Sequence, residues 1–331
     1  MGDITIPTFK DVLAAKERLN GQTLPTPLLR SDVLDDQTGK TLWFKPECSQ
    51  KVGAFKYRGA YNRLCAMTVD ERSKGVVAYS SGNHAQGVSR AAKELGIDAI
   101  IVMPEDAPSV KVAGVKADGA TIRFYDRLTE SREEIAAEIA ERDHRIIVPS
   151  FDDPYIIAGQ GTVGLEVAQE AEAKGFSFDA LITCMGGGGL CAGISLAMNE
   201  RSPATKIYGA EPQDYNDHQL SLRAGRRVRL DNPPPTLCDA LMTPQPGELT
   251  FAINKQSLSD VFDVSDQQCL LTMATIKQEL GVQLEPGGAV AAAATLFGCF
   301  EALPHAQTIC VILSGGNVDP DVAKRADALL T

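Results

Sequence analysis

Short runs of β-branched and apolar residues alternate with longer segments of helical periodicity along most of the chain. A strand of a parallel sheet is buried on both faces, and a helix usually connects it to the next strand. The alternation therefore predicts an α/β protein of mostly parallel sheets flanked by helices. The predicted strands are 41–44, 75–80, 99–104, 121–126, 145–149, 180–184, 206–211 and 308–314. The predicted helices include 58–67, 84–96, 131–143, 191–199 and 266–281.

Two domains are expected from the order of these segments. The strand–helix units within residues 71–150 suffice for a small domain with its own sheet, and residues 1–70 plus 151–331 then form a large domain. Ligands of open α/β sheets bind beyond the carboxyl ends of the strands. The candidate ligand-binding turns, which follow predicted strands and carry polar or glycine residues, are 80–87, 185–193, 211–217 and 314–317. The irregular, proline-rich segment 231–249 is a further candidate for ligand binding, because long ordered loops are often functional.

Charge and composition exclude several classes of protein. The net charge of -11 and the pI near 4.9 argue against nucleic acid as a partner, since phosphates are bound by clustered Lys and Arg. The absence of a long apolar stretch predicts a soluble cytoplasmic protein without a membrane partner. The eight cysteines, Cys299 among them, show no C-x-x-C spacing, so we expect reduced core residues rather than a zinc site.

Four consecutive glycines, Gly186, Gly187, Gly188 and Gly189, follow one predicted strand and precede a predicted helix. Unobstructed N–H groups at a helix N-terminus suit a phosphate group. The same residues also satisfy a G-x-G-x-x-A pattern, with Glu211 ending the next strand, which is the layout of a dinucleotide site. This motif alone leaves a nicotinamide cofactor and another phosphate-bearing cofactor equally open.

The segment 53–60, GAFKYRGA, carries a lysine between two aromatic residues. Lys56 could form a Schiff base with an aldehyde if burial or a nearby cation lowered the pKa of its amine. Taken by itself, such a lysine is more often a solvated surface residue.

Four motifs occur together and in a fixed order, and this combination is far more specific than any one of them. In this arrangement the chain resembles the fold-type II pyridoxal-phosphate enzymes with a tryptophan synthase beta-like fold, in the branch of threonine/serine dehydratases, serine racemases and hydroxyaspartate dehydratases. The resemblance runs from about residue 26 to residue 319 and implies a homodimer. The motifs are GAFKYRGAYN, SSGNHAQG, GGGGL and SGGN.

The resemblance implies a complete cofactor site. Lys56 would carry pyridoxal phosphate with Phe55 beneath its ring, and the four glycines would bind its phosphate. Asn83 would bind the phenolic oxygen, Ser314 would bind the pyridine nitrogen, and Glu285 would lie near the edge of the ring. A hydroxyl at Ser314 need not keep that nitrogen protonated, which weakens the electron sink and favours prompt β-elimination. The alternatives are a helix N-cap for Ser314 and a helix start for the Glu-Pro dipeptide at Glu285.

The resemblance also implies a substrate site after the second predicted strand. The turn beginning at Ser80 and Ser81 would bind the substrate carboxylate with the N–H groups of Gly82, Asn83 and His84. The hydroxyl of Ser81 would be the acid on the face opposite Lys56, whereas His84 is interpreted as a helix-start residue. Arg132 matches an arginine near the substrate cleft, and its alternative is an i,i+4 surface ion pair. Val52 and Ala54 stand where the family pattern has Thr and Ser.

Acidic residues crowd the turn after strand 206–211. Glu211, Asp214 and Asp217 are hard oxygen ligands of the kind that Mg²⁺ or Ca²⁺ prefers. By resemblance, Glu211, Asp217 and the carbonyl of Tyr215 would bind Mg²⁺, Ca²⁺ or Mn²⁺. A solvated acidic helix start is the alternative.

The predicted activity is dehydration of L-threonine or L-serine to a 2-oxo acid and ammonia. Serine racemisation and 3-hydroxyaspartate dehydration would use the same residues and stay open. A nicotinamide-dependent dehydrogenase and a non-catalytic amino-acid-binding protein are more remote alternatives.

Overall fold

Two parallel β-sheets form the framework of the protein. The computed structural model describes residues 5–298 and 302–330. The larger sheet has the order β1-β9-β6-β7-β8, and the smaller sheet has the order β4-β3-β2-β5, with every paired strand parallel. The predicted α/β class is thereby confirmed. The strands are β1 (Thr41–Pro46), β2 (Val76–Tyr79), β3 (Ala99–Pro104), β4 (Thr121–Tyr125), β5 (Ile146–Ile147), β6 (Ala180–Cys184), β7 (Lys206–Pro212), β8 (Leu258–Val264) and β9 (Thr308–Leu313).

Helices cover the two sheets and connect most of their strands. Several begin with a side-chain cap, such as Ser265, whose hydroxyl accepts the N–H of Gln268. The helices of the described residues are α1 (Phe9–Leu19), α2 (Asp32–Thr38), α3 (Lys56–Cys65), α4 (Val69–Lys74), α5 (Asn83–Leu95), α6 (Ser109–Ala117), α7 (Arg132–Asp143), α8 (Pro154–Ala173), α9 (Gly189–Arg201), α10 (Asp217–Ala224), α11 (Glu248–Ser257), α12 (Asp266–Leu280), α13 (Pro286–Leu296) and α14 (Pro320–Asp327).

The central helix α8 fixes the relative position of α3 and α9. A Cβ atom at Gly159 of α8 would lie 2.6 Å from the Cα atom of Gly59 in α3, and one at Gly193 of α9 would lie 2.3 Å from the carbonyl oxygen of Ile157. Only glycine permits such close approach, so larger residues would push the helices apart. This packing sets the distance between Lys56, the first residue of α3, and the glycine loop before α9.

The strand ends bring the predicted functional turns to the sheet edges. In the larger sheet β6 and β9 are neighbours, so the turns after Cys184 and Leu313 lie side by side. None of the described helices is both long and apolar enough to cross a membrane. The cysteines of the described residues are all free thiols, and Cys299 lies outside those residues. The proposed division into domains of residues 71–150 and 1–70 plus 151–331 stays a prediction.

Candidate active site

Lys56 begins α3, and its amine faces a cavity between the two sheets. Its Nζ donates a hydrogen bond to the carbonyl oxygen of Ser150 at 2.8 Å and lies 5.3 Å from the centre of the Phe55 ring. Removal of water from the amine lowers its pKa to about 8. A substantial fraction of the amine is therefore neutral near neutral pH, as a nucleophile or proton acceptor requires.

The glycine loop lies between β6 and α9. Gly188 has a φ of +89°, a left-handed conformation that glycine adopts without strain, and α9 begins at the next residue. Thr250 and Asn254 donate hydrogen bonds to the carbonyl oxygens of Gly187 and Gly188 at 2.6 and 3.1 Å. The N–H groups of the first helical turn have no intrahelical partner. Hydrogen bonds from α11 thus hold the carbonyl groups of the loop, and the N–H groups at the start of α9 remain available to bind an anion.

The side-chain amide of Asn83 is held by two neighbouring side chains, Glu285 and Asn317. Its Nδ2 donates to Glu285, and its Oδ1 accepts from Nδ2 of Asn317 at 2.9 Å. Lys111 lies 2.9 Å from the Glu285 carboxylate and 2.7 Å from that of Asp239. Burial raises the pKa of Glu285, and the Lys111 ammonium opposes that shift. Glu285 both precedes α13 and faces the cavity. Its interpretation as a helix start is therefore compatible with a position near the cofactor.

Ser314 follows β9 and lines the same cavity as Lys56 and the glycine loop. Its Oγ accepts a hydrogen bond from the thiol of Cys184 at 3.1 Å. The alternative role of Ser314 as an N-cap is wrong, because α14 begins only at Pro320, with Asp319 in the N-cap position.

The turn after β2 lines an adjoining part of the cavity, which Lys56, Asn83 and Gly187 also border. Helix α5 begins at Asn83, so the first N–H groups of the helix point towards its N-terminus, where Ser81 and Gly82 line the cavity. Burial and the nearby Lys56 ammonium lower the pKa of His84 to about 3, and its Nε2 lies 3.0 Å from the carbonyl oxygen of Val148. His84 is neutral at physiological pH, as expected of a helix-start residue rather than an acid.

Arg132, at the start of α7, lines both this inner cavity and a wider outer cleft of about 650 Å³. Its guanidinium lies over the ring of Tyr79 at 5.6 Å and pairs with Glu133 at 2.9 Å. The expected i,i+4 surface pair is therefore wrong, because the partner is the adjacent residue. Arg127 also lines both spaces.

Several cavity residues were not predicted individually. Asp239, Met242 and Thr243 belong to the irregular segment 231–249, which the sequence indicates only as a whole. Lys111 and Cys184 carry no motif signal, because tertiary packing alone brings Cys184 to the cavity and Lys111 to Glu285 at its edge. Asn317 ends the SGGN motif, but no role was predicted for it.

A second cluster combines Glu211, Asp217 and His218, with one potential ligand atom of each lying within 4.8 Å of the others. Both carboxylates are fully buried, so the interpretation as a solvated helix start is wrong. The Glu211 oxygens accept the N–H groups of His218 and Gln219 at 3.0 Å, whereas both oxygens of Asp217 lack a hydrogen-bond partner among the described residues. Burial raises the pKa of Asp217 to about 8. His218 was not predicted, and Asp214 is exposed outside the cluster.

A family model described as pyridoxal-phosphate dependent enzyme matches residues 19–315. The chain belongs to this family. An L-threo-3-hydroxyaspartate ammonia-lyase of Saccharomyces cerevisiae is 42% identical over 95% of this chain and 94% of its own length. An L-threonine ammonia-lyase of Thermotoga maritima is 35% identical over 96% of this chain and 77% of its own length. The structure of maize serine racemase matches with a TM-score of 0.92 and 36% identity over 98% of both chains.

The cavity of this pyridoxal-phosphate-dependent enzyme fits its cofactor. Lys56 would offer a partly neutral amine to the aldehyde, the glycine loop would offer N–H groups to the phosphate, and Ser314 would offer a hydroxyl to the ring nitrogen. A Cβ atom at Gly187 would lie 2.3 Å from the Phe151 ring, so the narrow cradle depends on glycine. When bound, pyridoxal phosphate supplies an electron-withdrawing ring that stabilises negative charge at the substrate α-carbon.

Proposed function

We propose that this enzyme is an ammonia-lyase for β-hydroxy amino acids and that its preferred substrate is a 3-hydroxyaspartate. Such a reaction removes the α-proton and the β-hydroxyl group as water, and hydrolysis of the resulting enamine yields a 2-oxo acid and ammonia. The observation that carries the choice of substrate is the pair of arginines, Arg127 and Arg132, in the wall of the inner cavity.

The inner cavity has a positive wall in a protein of net charge -11. Arg127 and Arg132 line it, each also paired with an acid that does not, Asp106 at 2.7 Å and Glu133 at 2.9 Å. Asp239 is the acidic residue among its lining residues. Asp239 is paired with the ammonium of Lys111 at 2.7 Å, which offsets its charge. A substrate with a second carboxylate would gain charge-assisted hydrogen bonds there.

Different residues of the cavity would bind the substrate and accept its proton. The N-terminus of α5 would bind the α-carboxylate, and an arginine would bind the β-carboxylate. The neutral amine of Lys56 would accept the α-proton. We assign these roles because Lys56, Ser81 and Arg132 line the same cavity.

L-threonine and L-serine remain the second candidate substrates, since the same amine and the same carboxylate site would serve them. Racemisation is a competing outcome of proton removal. The hydroxyl of Ser81 lines the cavity together with Lys56, so it could return a proton to the substrate before the β-hydroxyl leaves.

The choice of substrate is tested by Arg132→Ala, with Arg142→Ala as a control on the same helix. Arg142 is exposed and pairs with Asp143, away from the cavity. We expect Arg132→Ala to lower kcat/KM for 3-hydroxyaspartate by about tenfold to a hundredfold, the loss typical of a charged hydrogen bond. Turnover of threonine and serine should be nearly unchanged. Equal losses on all substrates would reject the assignment of the second carboxylate.

We further propose that Glu211 and Asp217 bind a divalent cation, with Mg²⁺ as the first candidate and Ca²⁺ or Mn²⁺ as alternatives. Two buried carboxylates, one of which has no hydrogen-bond partner in the part of the chain that the structure describes, are costly unless a proton or a cation neutralises them. The carbonyl of Tyr215 is a further proposed ligand. His218 Nε2 lies 3.0 Å from the carbonyl oxygen of Gly186, which connects this site to the glycine loop.

The family resemblance supports a homodimer as the working assembly. Light scattering of the purified holoenzyme would measure its mass, and a monomeric mass at assay concentration would reject the homodimer.

A further inference from the structure

Cys184 is the last residue of β6 and stands directly before the glycine loop. Its thiol is buried and lines the cavity that also contains Phe55, Lys56 and Ser314. Because β6 and β9 are adjacent and parallel, their carboxyl ends bring Cys184 and Ser314 together. The sulfur lies 3.1 Å from the Ser314 oxygen.

The direction of this hydrogen bond decides what the serine can do. Burial raises the pKa of the Cys184 thiol to about 11, so the thiol keeps its proton at neutral pH and can act as a donor. A serine hydroxyl has one proton and two acceptor positions. When Ser314 accepts from the thiol, its own proton stays free for another acceptor in the cavity.

We propose that Cys184 is a positioning residue, whose S–H group orients the Ser314 hydroxyl so that it donates its proton to the pyridine nitrogen of bound pyridoxal phosphate. The proposal rests on the predicted contact between Ser314 and that nitrogen. Ser314 can donate a hydrogen bond to the pyridine nitrogen only if that nitrogen is unprotonated. A protonated nitrogen would itself be the donor, and Ser314 would have to accept its hydrogen bond. The thiol therefore favours the unprotonated ring, which withdraws electrons less strongly.

The test is ¹⁵N NMR of the holoenzyme reconstituted with pyridoxal phosphate labelled at the pyridine nitrogen. Cys184→Ala removes the donor, so the nitrogen should accept a weaker hydrogen bond and its signal should move downfield. Cys184→Ser retains a donor and should keep the signal near the wild-type position. Cofactor affinity, measured by titration of the apoprotein, should fall about fivefold in Cys184→Ala, as expected for one neutral hydrogen bond.

A double-mutant cycle separates positioning from packing. In a Ser314→Ala background, Cys184→Ala should cause no further change of the ¹⁵N signal, because the thiol acts through the serine. An equal change with and without Ser314 would overturn the proposal and make the cysteine a packing residue. Cys184→Val fills the space of the cysteine without a donor. It should reproduce the ¹⁵N shift of Cys184→Ala even if the smaller alanine side chain destabilises the fold.

The outcome for Ser314→Ala alone distinguishes this proposal from the proposed function. If that variant leaves the ¹⁵N signal unchanged, Ser314 does not contact the nitrogen and the role of Cys184 is rejected as well. Ammonia-lyase activity on 3-hydroxyaspartate is measured separately and does not depend on this result.

Discussion

Lys56 is the residue whose chemistry depends most directly on its surroundings. An ordinary lysine has a pKa of about 10.4, whereas removal of water lowers the pKa of Lys56 to about 8. The amine is protonated below that value and neutral above it. The lowered pKa therefore increases the fraction of nucleophilic amine at neutral pH by roughly two orders of magnitude.

This shift predicts the pH dependence of cofactor attachment. When cofactor-free protein is mixed with pyridoxal phosphate, the rate of attachment should rise about tenfold per pH unit below pH 8 and level off above it. The visible absorption of the attached cofactor measures the rate. A lysine peptide under the same conditions corrects for ionisation of the cofactor, and Lys56→Ala should show no attachment. A rate that still rises steeply at about pH 10 would show an ordinary lysine.

The residues that neighbouring positions marked by a joint signal are the ones that the structure places around one cavity. Lys56 was selected because the motif around it occurs in order with three others, and the glycine loop because four glycines follow a predicted strand. Lys111 and Cys184 were missed because each is an isolated residue in an ordinary helix or strand. Their importance arises only from partners about 130 or more positions away, such as Asp239 and Ser314.

At the scale of elements, substitutions in the glycine loop can show whether its backbone conformation or the lack of space excludes a side chain. Gly188 has a φ of +89°, and a Cβ atom there would lie 2.6 Å from the His218 ring. Gly175 has a φ of +77° with no atom within 4 Å, which makes it a matched control. Gly175→Ala should cost about 1–2 kcal/mol of unfolding free energy from strain alone.

Gly188→Ala should cost about 1–3 kcal/mol more than the control because the new methyl group also overpacks the loop. Chemical denaturation of the two variants measures the difference, and cofactor titration should show weaker binding only for Gly188→Ala. Equal destabilisation in both variants would mean that the loop shifts freely to accept a side chain.

The buried carboxylates between β7 and α10 give a prediction about metal binding. Mg²⁺ bound only to the folded protein should stabilise chelator-treated enzyme by about 2.7 kcal/mol at a hundred times its Kd, and thus raise the Tm. Glu211→Ala should abolish this response. Asp214→Asn removes an exposed acid of the same turn and should leave it intact. A Tm that is insensitive to Mg²⁺, Ca²⁺ and Mn²⁺ would reject the site.

The strands themselves were mostly predictable, and the exceptions lie at the sheet edges. β8 was missed because Ser259, Asp260 and Asp263 make it too polar to resemble a buried strand, and only Val261 and Val264 are buried. β5 is shorter than predicted, although the N–H of Val148 still bonds to the carbonyl oxygen of Val77. An edge strand has only one neighbour, so fewer of its positions need apolar residues.

At the scale of the whole molecule, the presence of two sheets followed from the alternating pattern, but their strand order did not. The larger sheet places β1 next to β9, strands from opposite ends of the chain. No local signal specifies such a long-range pairing. The pairing also brings the turn after β9 beside Ala54 at the start of the lysine motif, where Ala54 forms a bridge with Gly315.

The charge distribution of the whole molecule predicts how an anionic substrate approaches. A net charge of -11 repels anions at long range, yet the lining of the outer cleft holds four arginines against three acids. The arginines are Arg127, Arg132, Arg227 and Arg229, and the acids are Glu130, Glu133 and Asp152. Within the described part of the chain, Arg127, Arg132 and Arg227 form ion pairs with nearby acids, whereas Arg229 forms none. Arg229 is exposed at the cleft and is therefore the best placed to attract a substrate without first breaking an ion pair.

Arg229→Gln should lower kcat/KM for 3-hydroxyaspartate by about two- to fivefold at low salt and leave kcat unchanged, because steering acts before the chemical step. The difference from wild type should shrink as ionic strength rises and charges are screened. Arg226→Gln removes the same charge from an exposed position outside the cleft and should have a smaller effect. L-serine, which has no net charge, should be insensitive to both variants. A loss of kcat/KM that is equal for L-serine, or that persists at high salt, would show that Arg229 supports the shape of the cleft rather than attracting the substrate.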